Sequence, residues 1–144
     1  MFWDSSALLP HLVREAMSEE VTVLLEADRV PLLWWATPVE CVSALERRRR
    51  EGSLDQKSYR EGRARLSDVL EQMSFVQPHP LVRSRAERLL AAHPLRAADA
   101  LQLAAALVAC DERPQGEAFA SFDVRLREAA EREGFKLLPE APRI

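Results

Sequence analysis

The sequence predicts an α/β fold with a central, mostly parallel sheet flanked by helices, and three observations carry that prediction. Short apolar runs alternate with longer stretches of helical periodicity along the chain. The joins between them are brief and marked by Gly, Pro and helix-capping residues. One run, Val30–Ala36, is continuously apolar and rich in aromatic residues, as a strand covered on both faces should be.

Met1–Phe2–Trp3 reads as the first strand, ending at Asp4. Ser5 or Ser6 starts a helical turn that Pro10 keeps short or kinked. Ser18 caps a second helix, Val21 to Asp28, with Glu19 and Glu20 at the end the macrodipole favours. After the Val30–Ala36 strand, Thr37–Pro38–Val39–Glu40 forms a capping box with Thr37 as N-cap. The helix it opens carries Cys41, Ala44 and Leu45 on one face, then Arg47–Arg50, and stops at Gly52. Ser53–Leu54–Asp55–Gln56 is a second capping box, for a helix to about Gln72 striped by Leu66, Val69, Leu70 and Met73.

Ser74–Gln77 is a short strand stopped by Pro78 and Pro80. Leu81–Ala92 is helical, with Leu81, Val82, Ala86, Leu89 and Leu90 facing inward. The helix read across His93–Leu107, ending near Cys110, is Ala- and Leu-rich on almost every face and is therefore buried. Glu117–Phe122 is a strand that ends at Asp123. A helix through Leu126, Ala129 and Ala130 closes on Gly134, and Phe135–Leu138 is the last strand before a Pro-containing tail.

At 144 residues, 47% hydrophobic and 30% charged, the chain is expected to form one globular domain over 1–144 with a real core. No apolar run approaches the roughly 18 residues of a membrane span, and the N-terminus lacks the pattern of a signal peptide. Cys41 and Cys110, both in apolar helical patterns, fit reduced cytoplasmic thiols rather than a disulfide or zinc framework. A net charge of −3 is no global nucleic-acid signature, so a polyanion must be met by local basic patches or by metal ions.

Four acids stand at comparable junctions: Asp4 after the first strand, Glu40 opening the helix after the second, Asp99 in a buried helix, Asp123 after a later strand. The carboxyl ends of parallel strands share one edge, where ligands bind. Converging carboxylates repel unless a cation joins them, and Mg²⁺ or Mn²⁺ takes such oxygen ligands. The chemistry implied is metal-assisted phosphodiester hydrolysis. Four scattered glycines exclude a phosphate-cradling P-loop. Each acid also has an ordinary structural role: Glu40 in its capping box, Asp4 and Asp123 as N-caps, Asp99 as a first-turn partner of Arg96. His11, His79 and His93 show no metal or catalytic spacing. Arg47–Arg50 with Lys57, Arg60, Arg63 and Arg65 form a basic surface open to three readings: a solvated face, a track for an RNA backbone, or a protein-binding face.

Four segments, in this order and spacing, resemble a known family: Phe2–Trp3–Asp4–Ser5–Ser6–Ala7–Leu8, Thr37–Pro38–Val39–Glu40, Leu95–Arg96–Ala97–Ala98–Asp99–Ala100–Leu101–Gln102–Leu103–Ala104, and Ser121–Phe122–Asp123–Val124–Arg125–Leu126. The chain resembles PIN-domain ribonucleases, specifically the VapC toxins of type II toxin–antitoxin systems. That resemblance implies a PIN-like fold and a Mg²⁺- or Mn²⁺-dependent endoribonuclease with Asp4, Glu40, Asp99 and Asp123 as its acidic quartet. It implies supporting positions at Ser6, Ser121 and Arg96. It also implies an RNA substrate, a homodimer, and a cognate antitoxin gripped by the two helices from Thr37 to Gln72. Ser121 stands where the family more often has Thr, and Trp3 is bulkier than the usual aliphatic residue. Two rivals remain: a non-cleaving PIN-fold RNA- or protein-binding module, and a phosphatase using Asp4 as nucleophile. The phosphatase expects a second Asp where Ser6 stands.

Overall fold

The computed structural model describes residues 1–140. Strands and helices follow one another as β1 (Phe2–Trp3), α1 (Ser5–Leu12), α2 (Ser18–Ala27), β2 (Leu32–Trp34), α3 (Thr37–Glu51) and α4 (Gln56–Leu70), then β3 (Ser74–Val76), α5 (Pro80–Ala92), α6 (Ala97–Ala109), β4 (Ala118–Ala120), α7 (Val124–Glu133) and β5 (Lys136–Leu138). Every strand pair is parallel, and the sheet order is β3-β2-β1-β4-β5. The chain thus builds outward from β1 to β3, crosses back over the sheet, and resumes beside β1 with β4.

Side-chain alternation along such short strands sends neighbouring residues to opposite faces. Phe2, Trp34 and Phe119 join the core beneath α5, α6 and α7. Trp3, Leu33 and Ala120 join the second core beneath α1, α3 and α4, to which α2 adds Val21. Phe2 stacks on Phe119 at 5.3 Å between ring centroids. Trp3 is fully buried, and its indole nitrogen donates to Asp28 Oδ2 at 2.8 Å, which satisfies the ring's one polar atom. Gly62 lets α4 close on the end of α1, because a Cβ there would meet Leu12 O at 3.3 Å.

The structure corrects several local expectations. The α6 helix begins at Ala97, not His93: His93 is the extended C-cap of α5 and Arg96 the N-cap of α6. Pro94 accounts for the break, since the residue before a proline is driven out of the helical region. The second strand is only Leu32–Trp34, and Ala36 is already the N-cap of α3. Its partners are two and three residues long, so there is no ladder to extend it. Thr37 is the first residue of α3 rather than its cap, and the Thr37–Glu40 capping box does not form. Asp55, not Ser53, caps α4 by accepting from Ser58 N. Ser53 instead donates to Arg48 O.

Ser18 opens α2 without capping it, and its hydroxyl ties the preceding loop by bonding Val13 O and Glu15 N. On α5 the buried stripe is Val82, Ala86 and Leu89, which leaves Leu81 and Leu90 exposed on either side of it. The strand before Asp123 stops at Ala120, so Ser121 and Phe122 lie between strand and acid. The α1 helix is short, with Pro10 inside it. Gly52 and Gly134 end α3 and α7 at positive φ. His79 caps α5 through Nδ1, and His93 meets Glu133 at 3.3 Å. The end of the Pro-containing tail lies outside the described residues.

Candidate active site

At the carboxyl edge of the sheet, β1 and β4 are neighbours, and the chain turns back between them. This is the switch point at which open parallel sheets bind ligands. Asp4 leaves β1 there, and Ser121–Asp123 leave β4. Asp4 is 3% exposed and acts both as N-cap of α1 and as the hub of a polar cluster. Its Oδ1 accepts from Ser6 Oγ at 2.7 Å and from Ala7 N at 3.0 Å, and its Oδ2 accepts from Ser121 Oγ at 2.7 Å. The two hydroxyls are themselves fixed. Ser6 Oγ accepts from Phe122 N, and Ser121 Oγ accepts from Asp123 N. Asp123 caps α7 by accepting from Leu126 N on Oδ1, which leaves Oδ2 without a hydrogen bond among the described residues. The ordinary capping roles of Asp4 and Asp123 are therefore real, and they orient both carboxylates.

Glu40, in the first turn of α3, accepts from Gln102 Nε2 at 2.5 Å on Oε2. Asp99, in the first turn of α6, is half-buried and makes no hydrogen bond through its side chain among the described residues. Three of the acids, Asp4, Glu40 and Asp99, are held above the ordinary carboxylate range. Burial pushes the Asp4 carboxyl up to about 6 against the pull of its hydrogen bonds from Ser6, Ser121 and Ala7, and Asp123 adds to the rise. Burial likewise pushes Glu40 up to about 7, with Gln102 opposing and Asp4 and Asp99 reinforcing. Asp99 is raised by burial and by Asp123, while exposed Arg96 pulls it down. Each acid thus has one or two of the others as charged neighbours, and Arg96 is the neighbour of Asp99.

Oxygens free to meet a cation are one on Glu40, one on Asp123 and both on Asp99, with a remaining lone pair on Asp4 Oδ2. Among the described residues no three acidic, His or Cys side chains stand close enough to chelate one ion. Hard carboxylate donors around an excess of negative charge nonetheless fit Mg²⁺ or Mn²⁺, since Mg²⁺ keeps most of its waters and binds through one or two carboxylates. Cys41 beside them is buried, its thiol pushed up to about 12 by burial and then by Glu40 and Asp4, so it is a neutral packing group.

The basic run is divided. Arg48 pairs with Glu15 at 3.2 Å, and Arg49 pairs with Glu46 at 2.6 Å while lying over the Tyr59 ring. Arg47 and Arg50 are exposed, and neither forms an ion pair among the described residues. Exposed Val39 and Val124 stand next to Glu40 and Asp123 in sequence.

Three contributors have no place in the sequence reading of the site. Thr37 and Gln102 form a buried hydrogen bond of 2.9 Å beside Glu40. Arg127 donates to Ser121 O at 2.6 Å and to Pro139 O at 2.9 Å, tying together the chain just past β4 and β5. A lone Gln in an otherwise apolar helix was the available signal for Gln102. Arg127 offered none, because its targets are backbone carbonyls.

No helix among the described residues is long and apolar enough to cross a membrane. A search of curated proteins found no match. The fold is similar to that in a structure titled "Crystal Structure of PAE2754 from Pyrobaculum aerophilum", at 15% identity over 94% of this chain and 87% of that one, with a TM-score of 0.67. A model of the PIN domain family matches residues 1–132. The match takes in all four acids and runs from β1 to within one residue of the end of α7, and the chain belongs to the PIN domain family.

Proposed function

We propose that residues 1–144 form a single cytoplasmic PIN-like domain acting as a Mg²⁺- or Mn²⁺-dependent endoribonuclease, the toxin of a type II toxin–antitoxin pair. Metal-dependent nuclease action is the general chemistry of the family. The observation that carries the reading is the gathering of carboxylates at the switch point, where Ser6 and Ser121 tie buried Asp4 to the chain at Asp123, while Glu40 and half-buried Asp99 open α3 and α6. When bound, a divalent ion supplies a more acidic water and Lewis-acid stabilisation of the scissile phosphate. Asp4, Glu40, Asp99 and Asp123 would hold it, directly or through water. Ser6 and Ser121 hold the Asp4 carboxylate in one orientation, and Arg96 offers a positive charge at the rim for a phosphate.

The partners that go with this reading are RNA, a second copy of the chain and a cognate antitoxin. A second reading, a PIN-fold module that holds RNA or a partner without cutting, is favoured by one observation: among the described residues no three acids stand close enough to chelate one ion. Purified protein incubated with total RNA separates the two. Discrete fragments formed with Mg²⁺ or Mn²⁺ and absent with EDTA are expected, whereas binding without fragments establishes the module.

For the basic surface, Arg47 and Arg50 are the two members of the run that form no ion pair among the described residues, so they are assigned to the RNA track. Replacing both with Ala should weaken RNA binding and reduce the slope of log affinity against log salt by about 1–2. An unchanged slope returns this surface to the antitoxin or to solvent.

A further inference from the structure

Gln102 is 1% exposed and is the one polar side chain on the buried face of α6. Its Nε2 donates to Thr37 Oγ1 at 2.9 Å and to Glu40 Oε2 at 2.5 Å, so a single amide on α6 grips two groups in the first turn of α3. It lies three residues beyond Asp99, beside it on the same helix. While Glu40 is ionised the amide cannot turn over, because its oxygen would then face the carboxylate. In the orientation it holds, Oε1 is buried with no partner among the described residues. An unpartnered buried acceptor is paid for in stability, and an apolar side chain of the same length would remove that cost. The position therefore keeps a polar group that packing alone does not favour.

We infer that Gln102 is a positioning residue: it holds Glu40 by Oε2 beside Asp99, so that Oε1 of Glu40 is presented to the divalent cation. The inference rests on the cation reading of the four acids. Thr37 makes the control. Gln102→Met removes both hydrogen bonds, whereas Thr37→Val removes only the one that ties α6 to α3 without touching Glu40. Binding of Mn²⁺ to the purified full chain, followed by titration calorimetry, is the readout.

The expected result is a loss of about tenfold or more in Mn²⁺ affinity for Gln102→Met, in the range of outer-shell ligand partners. Thr37→Val should stay within about twofold of wild type, and Gln102→Met should cost nothing further in a Glu40→Gln background. Wild-type affinity in Gln102→Met, or equal losses in Gln102→Met and Thr37→Val, overturns the inference and leaves a structural tie. Should Gln102→Met not fold, Gln102→Asn draws the amide back by one methylene, and wild-type affinity there also overturns it. A wild-type chain that binds no Mn²⁺ removes the cation reading itself.

Discussion

Asp4→Asn is expected to end RNA cleavage and, at pH 7.5, to raise the melting temperature. The two effects share one cause. Asp4 is buried, and its carboxyl is pushed from an ordinary 3.8 to about 6 chiefly by that burial. The native state therefore holds the proton more tightly than the unfolded chain between those values, and stability falls as pH rises through that window. Above about pH 6 the cost is complete, on the order of 3 kcal/mol for a displacement of this size. Asparagine removes the charge and keeps the cluster. Its oxygen still accepts from Ser6 and Ala7, and its amide donates to Ser121 Oγ where the carboxylate accepted.

Allowing for imperfect substitution, a gain of about 1–3 kcal/mol is expected at pH 7.5, or about 3–10 degrees in melting temperature for a chain of this size. The gain should shrink as pH falls from 6 towards 4 and vanish below about pH 3, where Asp4 itself is protonated in both states. Cleavage should fall by more than about 100-fold, beyond the loss typical of an outer-shell partner. Wild-type cutting by the purified variant would sink the metal-site assignment. A lowered melting temperature at pH 7.5 would mean that the charge itself caps α1.

Mn²⁺ is expected to raise the melting temperature of the wild-type chain strongly at pH 8 and little at pH 5.5. A cation that binds only the native state adds about 2.7 kcal/mol of stability at 100 times its Kd. Protons compete for the same oxygens. At pH 5.5 Asp4 and Glu40, displaced to about 6 and about 7, are mostly neutral; at pH 8 both are ionised. Asp99 is raised as well and moves in the same direction. Cleavage rate at fixed Mn²⁺ should rise across the same interval and level off near pH 8. Thermal melts across a Mn²⁺ titration at the two pH values provide the check. An increment independent of pH would show that the cation binds elsewhere, and Asp99→Asn would then leave it unchanged.

Much of the fold was legible because local physics governs it. Apolar runs became strands, Gly52 and Gly134 stopped helices through the left-handed conformation only Gly adopts freely, and the Ala–Leu stretch became the buried α6. The errors fall where two local signals compete. Thr37 looked like a cap by spacing, yet its hydroxyl is taken by Gln102 from another helix. His93 looked helical by composition, yet Pro94 forced it extended. Leu81 and Leu90 were assigned inward on hydrophobicity, but one helix face accommodates only Val82, Ala86 and Leu89.

Within the candidate site, the identities of the four acids and their places at element ends were determined by the sequence alone, since each follows a strand or opens a helix. So were the roles of Asp4 and Asp123 as caps, because a cap acts on nitrogens two or three residues away. Only the tertiary structure decided what these groups meet. Nothing local orders the strands 3-2-1-4-5, and that order sets β1 against β4 and brings Ser121 to Asp4 across 117 residues. Nor does anything local bring Gln102 to Glu40, 62 residues away, a contact made by the packing of α6 against β2 and the start of α3. Patterning selects elements and their inward faces, but the shared environment that raises the carboxyl pKa values exists only once those faces have packed and excluded water.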